Sequence, residues 1–139
     1  IKDDGYQIIV KRTPKIAGTY FERTPTAVAT TDDFAWNEYV RVVDKASRLV
    51  DSALTPELNS TVLLNADGTL RDSTVGYFVD IAQTPLTQME ADGEISASEV
   101  TIDPTQNVLS TSQLNVTVRI VPTGTTEFIE VNIGLTTSL

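Results

Sequence analysis

The last third of the chain constrains the fold most. Leu114, Val116, Val118 and Ile120 alternate with Asn115, Thr117, Arg119 and Val121, and Ile129, Val131, Ile133 and Leu135 alternate with Glu130, Asn132 and Gly134. A period of two sets each apolar group on one face of a half-buried strand. Between the two runs lies Pro122-Thr123-Gly124-Thr125-Thr126, a turn-forming stretch short enough to join them as a hairpin. One face of that hairpin needs a cover, and the preceding segments carry helical patterns able to supply it.

The longest such pattern follows Thr31-Asp32-Asp33. These residues are candidate N-caps, and their acids suit the positive end of a helix dipole. From there to Leu54, Trp36, Tyr39, Val40, Val43, Ala46, Val50 and Ala53 recur at steps of three and four, the stripe of an amphipathic helix. Thr55-Pro56 ends it and suits the first turn of another. Val62, Leu63 and Leu64 form a small apolar run, and Asn65-Ala66-Asp67-Gly68 reads as a turn. A second helix is expected through Leu70, Val75, Phe78, Val79 and Ala82, weakened by Gly76 and broken or kinked at Pro85. It ends near Ala91-Asp92-Gly93, with glycine in the usual place after a C-terminus. Ile95, Ala97, Val100 and Ile102 then trace a strand. Before all this, Tyr6–Lys11 reads as a short strand, and residues 12–31 as an irregular connection with one edge strand near Thr19-Tyr20-Phe21.

The expected architecture is therefore α+β. It comprises a small, largely antiparallel sheet, made of the C-terminal hairpin and one or two further strands, covered on one face by one long and one broken helix. Residues 1–139 form one domain. Residues 1–30 supply strand and connection, 31–93 the helical part, and 94–139 the strands and a C-terminal arm. A start at Ile1 without methionine leads us to expect the C-terminal part of a longer chain.

Composition narrows the chemistry. The chain has no cysteine and no histidine, so it lacks the thiolate nucleophile, the commonest general base and the commonest metal ligand. An enzyme would have to work with carboxylates, lysine, tyrosine or hydroxyls, and we expect none; no cofactor is expected either. The net charge of −9 is uneven. Residues 1–71 hold nine of the ten basic side chains, whereas residues 72–139 set Arg119 alone against nine acids. Nucleic-acid binding needs clustered Lys and Arg and is not expected. No apolar run approaches the ~20 residues of a membrane helix, so no membrane partner is expected.

Two candidate sites arise from spacing. Gln88–Glu99 follows the register of an EF-hand loop, with Glu90, Asp92, Ser96 and Glu99 as the potential calcium ligands. Gln88 stands where a carboxylate is required, however, and the following residues read as strand rather than helix. A helix C-cap entering a strand accounts for the same residues. Asp32-Asp33 could form a paired-carboxylate site, but adjacent acids before a helix serve as caps. The other informative feature is the end of the chain. A closing strand followed by Thr136-Thr137-Ser138-Leu139 leaves backbone donors and acceptors at a sheet edge, where another chain can pair.

The order of elements resembles the C-terminal domain of contractile phage tail sheath proteins. Three stretches carry the resemblance: Thr31-Asp32-Asp33-Phe34 opening a helix through Tyr39–Ala46; Asp92-Gly93-Glu94-Ile95 leading to Val100–Asp103 and Gln106-Asn107; and the pair Leu114–Pro122 and Thr126–Ile133. It covers most of the chain from about Thr19 and is closest to sheath-like proteins of prophages. The resemblance implies a structural subunit without catalytic residues, in the virion or in the host bacterial cytoplasm during assembly. Its partners would be neighbouring sheath subunits and a tail tube protein. It implies a donor arm at Gly134, Leu135, Thr136, Thr137, Ser138 and Leu139. The acceptor sheet would be lined by Leu114, Val116, Val118, Ile120, Ile129, Val131 and Ile133. The helix Asp33–Leu54 would face the tube, and the family's N-terminal arm and outer domains have no counterpart here. Rival expectations are another tail or baseplate component, or a small calcium- or carbohydrate-binding module.

Overall fold

The structure, a computed structural model, describes residues 9–10, 17–21, 23–126, 129–131, 133 and 135. In chain order these form strands β1 (Ile9–Val10) and β2 (Tyr20–Phe21), helix α1 (Asn37–Leu54), a 3₁₀ turn (Thr55–Glu57), helix α2 (Asp72–Ala91), strand β3 (Ile95–Thr101), the single-turn helix α3 (Val108–Thr111) and strand β4 (Thr117–Pro122). The architecture is α+β with antiparallel sheets, as the periodicities predict. Among the described residues it holds two two-stranded sheets, β1–β2 and β3–β4, rather than one.

Helix α2 sits at the centre. Thr74, Phe78, Ala82, Leu86 and Met89 recur along one side of it and are buried. Ala82, Leu86 and Met89 form one cluster with Ala46 of α1 and Ile95 and Val100 of β3, and Phe78 forms a second with Leu70 and Ile102. Pro85 lies inside this helix without breaking it. An interior proline costs about 3 kcal/mol through a lost N–H and a clash with the preceding turn. Each buried large side chain on the same face, Leu86 and Met89 foremost, returns roughly 1.5–3 kcal/mol, so the burial outweighs the break. The hydroxyls of Thr84 and Thr87 donate to the carbonyls of Asp80 and Gln83, at 2.8 Å and 3.1 Å, beside the proline.

The C-terminus of α2 is closed by backbone alone. Gly93 N–H donates to Glu90 C=O and Glu94 N–H to Met89 C=O, each at 3.0 Å, with Gly93 at φ +73°. This is the paired-bond Schellman ending, which needs a left-handed residue. From Glu94 the chain turns straight into β3, and the carboxylate of Glu94 reaches back 2.6 Å to Lys45 of α1. Both side chains remain partly exposed, so that pair is worth at most about 1 kcal/mol.

The start of α1 differs from expectation. Helical geometry begins at Asn37, after an extended Trp36 whose side chain makes no cap. Asp32 instead accepts the N–H of Phe34 at 2.8 Å, which commits its carboxylate to a turn. The helix end is met by a strap of backbone: Asn37 N–H donates to Thr24 C=O at 3.0 Å and Thr26 N–H to Ala35 C=O at 2.9 Å. Against that strap the Arg23 guanidinium lies 4.1 Å from the Trp36 ring centre and 5.2 Å from that of Tyr39, and pairs with Glu38. The buried stripe of α1 is also turned by one residue. Val42, Ala46, Leu49, Val50 and Leu54 meet the core while Val43 faces outward. Consecutive valines satisfy either phase, and α2 selects the one seen.

Two Asp-X-Thr turns close the loops around the second cluster. Asp67 accepts the Thr69 N–H and hydroxyl at 3.1 Å and 2.7 Å, and Asp103 does the same for Thr105 at 2.8 Å and 2.7 Å. These bonds favour the ionised carboxylates, so both groups titrate below their ordinary 3.8. A carboxyl whose folded pKa is depressed stabilises the fold above its unfolded pKa and stops doing so as pH falls through the folded value. Asp67→Asn and Asp103→Asn are therefore expected to lower the melting temperature slightly at neutral pH. The difference from the parent should shrink once pH drops below 3.8, and melts across pH check the sign.

Glycine substitutions test the helix assignment. Gly93→Ala meets no atom within 4 Å yet must hold a positive φ, and is expected to cost about 1–2 kcal/mol, roughly 3–6 °C in Tm. Gly76→Ala has equally open space and lies within α2, so it should stabilise by about 0.5–1 kcal/mol. Thermal melts that move both variants in one direction would contradict this geometry.

Candidate functional site: an open strand edge and its groove

The proposed calcium ligands are not brought together. Glu90 lies in the last turn of α2 and accepts the Ser98 hydroxyl, which itself accepts the Gln83 amide at 2.8 Å. Asp92 accepts from Gln88 at 2.9 Å. Ser96 donates to Pro122 C=O at 3.1 Å, and Glu99 faces Arg119 across the ribbon at 3.7 Å. The sequence resembles a calcium loop because a Schellman glycine followed by a polar outer strand face reproduces its Asp-Gly and acid spacing. A calcium loop folds back on itself between two helices, whereas here an extended strand carries Ser96 and Glu99 away from Asp92. Among the described residues, no cluster of three or more acids could hold a metal ion, and no helix is long and apolar enough to cross a membrane.

The ribbon β3–β4 is the more distinctive feature. Its register runs from Ala97 opposite Val121 to Thr101 opposite Thr117. A bulge at Ser96 shifts Ile95 onto Pro122. On the inner face Ile95 and Val100 of β3 are buried beneath α2, while Val118 and Ile120 of β4 are only half-buried. The outer face carries Ala97, Glu99, Thr101, Thr117, Arg119 and Val121. Among the described residues no strand pairs with the far side of β4. An edge with half-covered apolar side chains is one strand short of a finished face.

The expected hairpin partner does not fill it. Ile129, Val131, Ile133 and Leu135 lie in no strand, and their side chains are 70% to 105% exposed. Leu114 and Val116, the other expected acceptor residues, precede β4 and pack against the core. The rest of the expected donor arm (Gly134 and residues 136–139) lies outside the described residues. The correction has a physical cause. A period-two pattern states which face a strand will bury, but not which strand it pairs with, and here β4 pairs with β3, the strand that packs on α2.

Where Leu114 and Val116 approach β4, the fold opens into a groove of about 560 Å³. Leu54, Val62, Leu64, Phe78, Val108 and Leu109 line it, with Asn59, Ser60, Ser112 and Gln113 at its polar margin. Asn59 and Ser112 hold left-handed backbone, at φ 66° and 53°, where the chain turns around the opening. Glu57, also on the margin, accepts the Tyr77 hydroxyl, and that bond pushes the phenol's pKa up. Sequence reasoning did not find this groove. Its lining comes from five separate segments, and α3, capped by Asn107 accepting the Ser110 N–H at 3.2 Å, lacks a length that periodicity can detect.

Among the described residues the site therefore defines an α+β domain whose β4 edge is unpaired and half-covered, with an apolar groove beside it and exposed apolar residues in the tail. The chain belongs to the DUF2586 C-terminal domain family, which matches residues 33–139, from just before α1 through the tail. No curated protein and no solved structure matches it.

If the acids of α2 and β3 serve only the contacts described, millimolar calcium should leave the melting temperature unchanged. A ligand present at one hundred times its Kd would raise stability by about 2.7 kcal/mol, a shift that thermal melts resolve easily.

Proposed function

We propose that this domain is a structural subunit that joins its neighbours by β-strand addition, as part of a contractile phage tail sheath or a related injection machine built around a tail tube. The observation that carries the reading is the pairing of two incomplete surfaces in one chain. One is the β4 edge with Val118 and Ile120 half-covered; the other is the alternating set Ile129, Val131, Ile133 and Leu135 turned out to solvent. The likeness of its element order to tail sheath domains supplies the kind of assembly. On this reading the chain contributes main-chain pairing and apolar contact rather than a reactive side chain, and works in the virion or, before assembly, in the bacterial cytoplasm.

Magnitudes favour a repeated weak contact over a tight isolated dimer. Four apolar side chains at roughly 1.5–3 kcal/mol each give about 6–12 kcal/mol. Ordering the segment and losing free rotation consume several of these. A single junction is then modest, while a lattice that makes many junctions at once is stable. The acidic half of the chain, residues 72–139, offers such a lattice a complementary face for a basic partner.

Val131→Asp combined with Ile133→Asp tests the reading. Both residues are exposed, so the melting temperature of the monomer should hold, while assembly weakens by 100-fold or more, corresponding to about 3 kcal/mol. Sedimentation and negative-stain microscopy measure it. Assemblies indifferent to both charges, or a parent chain that stays monomeric at high concentration with its tube present, would count against the proposal.

A further inference from the structure

We propose that the apolar groove is a docking site for a segment of another protein that presents bulky apolar side chains beside a lysine or arginine. The proposal does not rest on strand addition, since no residue of β3 or β4 lines the groove.

The first observation is the apolar surface. Leu54, Phe78 and Val116 line the groove, and Leu58 and Leu109, from two separate segments of its lining, stand 70% and 77% exposed. Single exposed leucines are ordinary on a protein surface. Two of them on one concave apolar lining make the pattern of an interaction site.

The second is charge. Among the described residues Glu57 is the one acidic or basic side chain on the lining. It is half-buried, accepts the Tyr77 hydroxyl, and forms no ion pair with a described lysine or arginine. A carboxylate has room for further donors, and beside apolar surface its attraction for a cation is screened less than in open water. An ammonium or guanidinium arriving with an apolar segment meets both needs. A neutral occupant would cover the carboxylate without pairing it, and an anionic one would be repelled.

The third is the backbone. Asn59 and Ser112, at φ 66° and 53°, are the only non-glycine residues with left-handed backbone among the described residues, and both line this groove. Residues held in such conformations gather at ligand clamps. Asn59 directly follows Leu58, and Ser112 caps the helical turn that carries Leu109, so the same two turns carry the exposed leucines.

Three blocked tripeptides serve as probes: acetyl-Leu-Lys-Leu-amide, the same peptide with norleucine in place of lysine, and the same with glutamate. Each is titrated into the full 139-residue chain, labelled with nitrogen-15 and kept below the concentration at which it associates, and amide shifts are followed. Two leucines moved from water to an apolar lining, less the cost of association, correspond to a Kd of about 1 mM for the lysine peptide. The expected shifts centre on Leu58, Leu109 and Val116. The lysine peptide should bind about two- to fivefold tighter than the norleucine peptide, and the glutamate peptide most weakly. Glu57→Gln keeps an acceptor for Tyr77 and removes the charge, so it should make the lysine and norleucine peptides bind alike. Leu58→Ser with Leu109→Ser should weaken all three while the melting temperature holds, since both leucines are exposed. Norleucine or glutamate peptides that match the lysine peptide overturn the cation as part of the occupant. Shifts confined to residues outside the groove, binding indifferent to the paired serines, or no shift up to about 10 mM overturn the groove as a docking site. All of these outcomes are read on the unassociated chain and leave the strand-addition reading to its own test.

Discussion

A two-stranded ribbon is marginal in water, and the rest of this fold depends on how β3 and β4 escape that condition. Helix α2 lies along β3 and buries Ile95 and Val100 against Ala82, Leu86 and Met89. Helix α1 completes the layer through Ala46, with Val42 and Leu49 packed on the same cluster, and touches β4. The cover is uneven: Ile95 and Val100 of β3 are buried, while Val118 and Ile120 of β4 are only half-buried. Everything distinctive about the surface follows from that asymmetry, including the half-exposed Val118 and Ile120 and the groove that opens past Val116.

The α2-to-β3 connection shows why the cover is rigid where it exists. Met89, the last buried residue of the helix, is also the acceptor for Glu94 N–H, and Gly93 makes the reversal. One residue later Ile95 is buried under the helix it has just left. Gln83, Ser98 and Glu90 then form a polar chain across the same seam. A short connection with satisfied backbone fixes the angle between the helix and the strand. Among the described residues no comparable link ties down the far side of β4.

Those differences decide what was legible in the sequence. Helix α1, strand β3, the Asn65–Gly68 turn and the glycine ending of α2 each announce themselves within a short window, through periodicity or turn chemistry. Helix α2 was readable except at Pro85, because a local rule for proline cannot weigh the burial of Leu86 and Met89 that overrides it. The cap at Asp32 failed for a related reason. A carboxylate five residues before a helix can serve a turn instead, and the strap at Thr24–Thr26 already meets the helix end. Trp36 and Tyr39 belong to the stripe expected to face the core, yet they are only half-buried and lie in neither core cluster; their rings hold Arg23, which stands 13 and 16 positions earlier in the chain. The groove was invisible because no window contains it.

The tail poses the same question more sharply, since its pattern was read correctly and its pairing was not. Alternation in residues 114–135 specifies two apolar faces, and the structure presents both: one on β4 and its approach, the other exposed. A sequence pattern is indifferent to whether its complement lies in the same chain or the next. The preference is set by what each pairing leaves unsatisfied. In a lone chain the uncovered apolar rows are a liability that invites association, and in an assembly the same rows supply the junction. A protein built to polymerise should therefore show an edge whose apolar row is incomplete by about one strand, with the missing strand's pattern carried in its own sequence. The half-buried row Val116, Val118 and Ile120 and the exposed Ile129, Val131, Ile133 and Leu135 are two such rows in one chain.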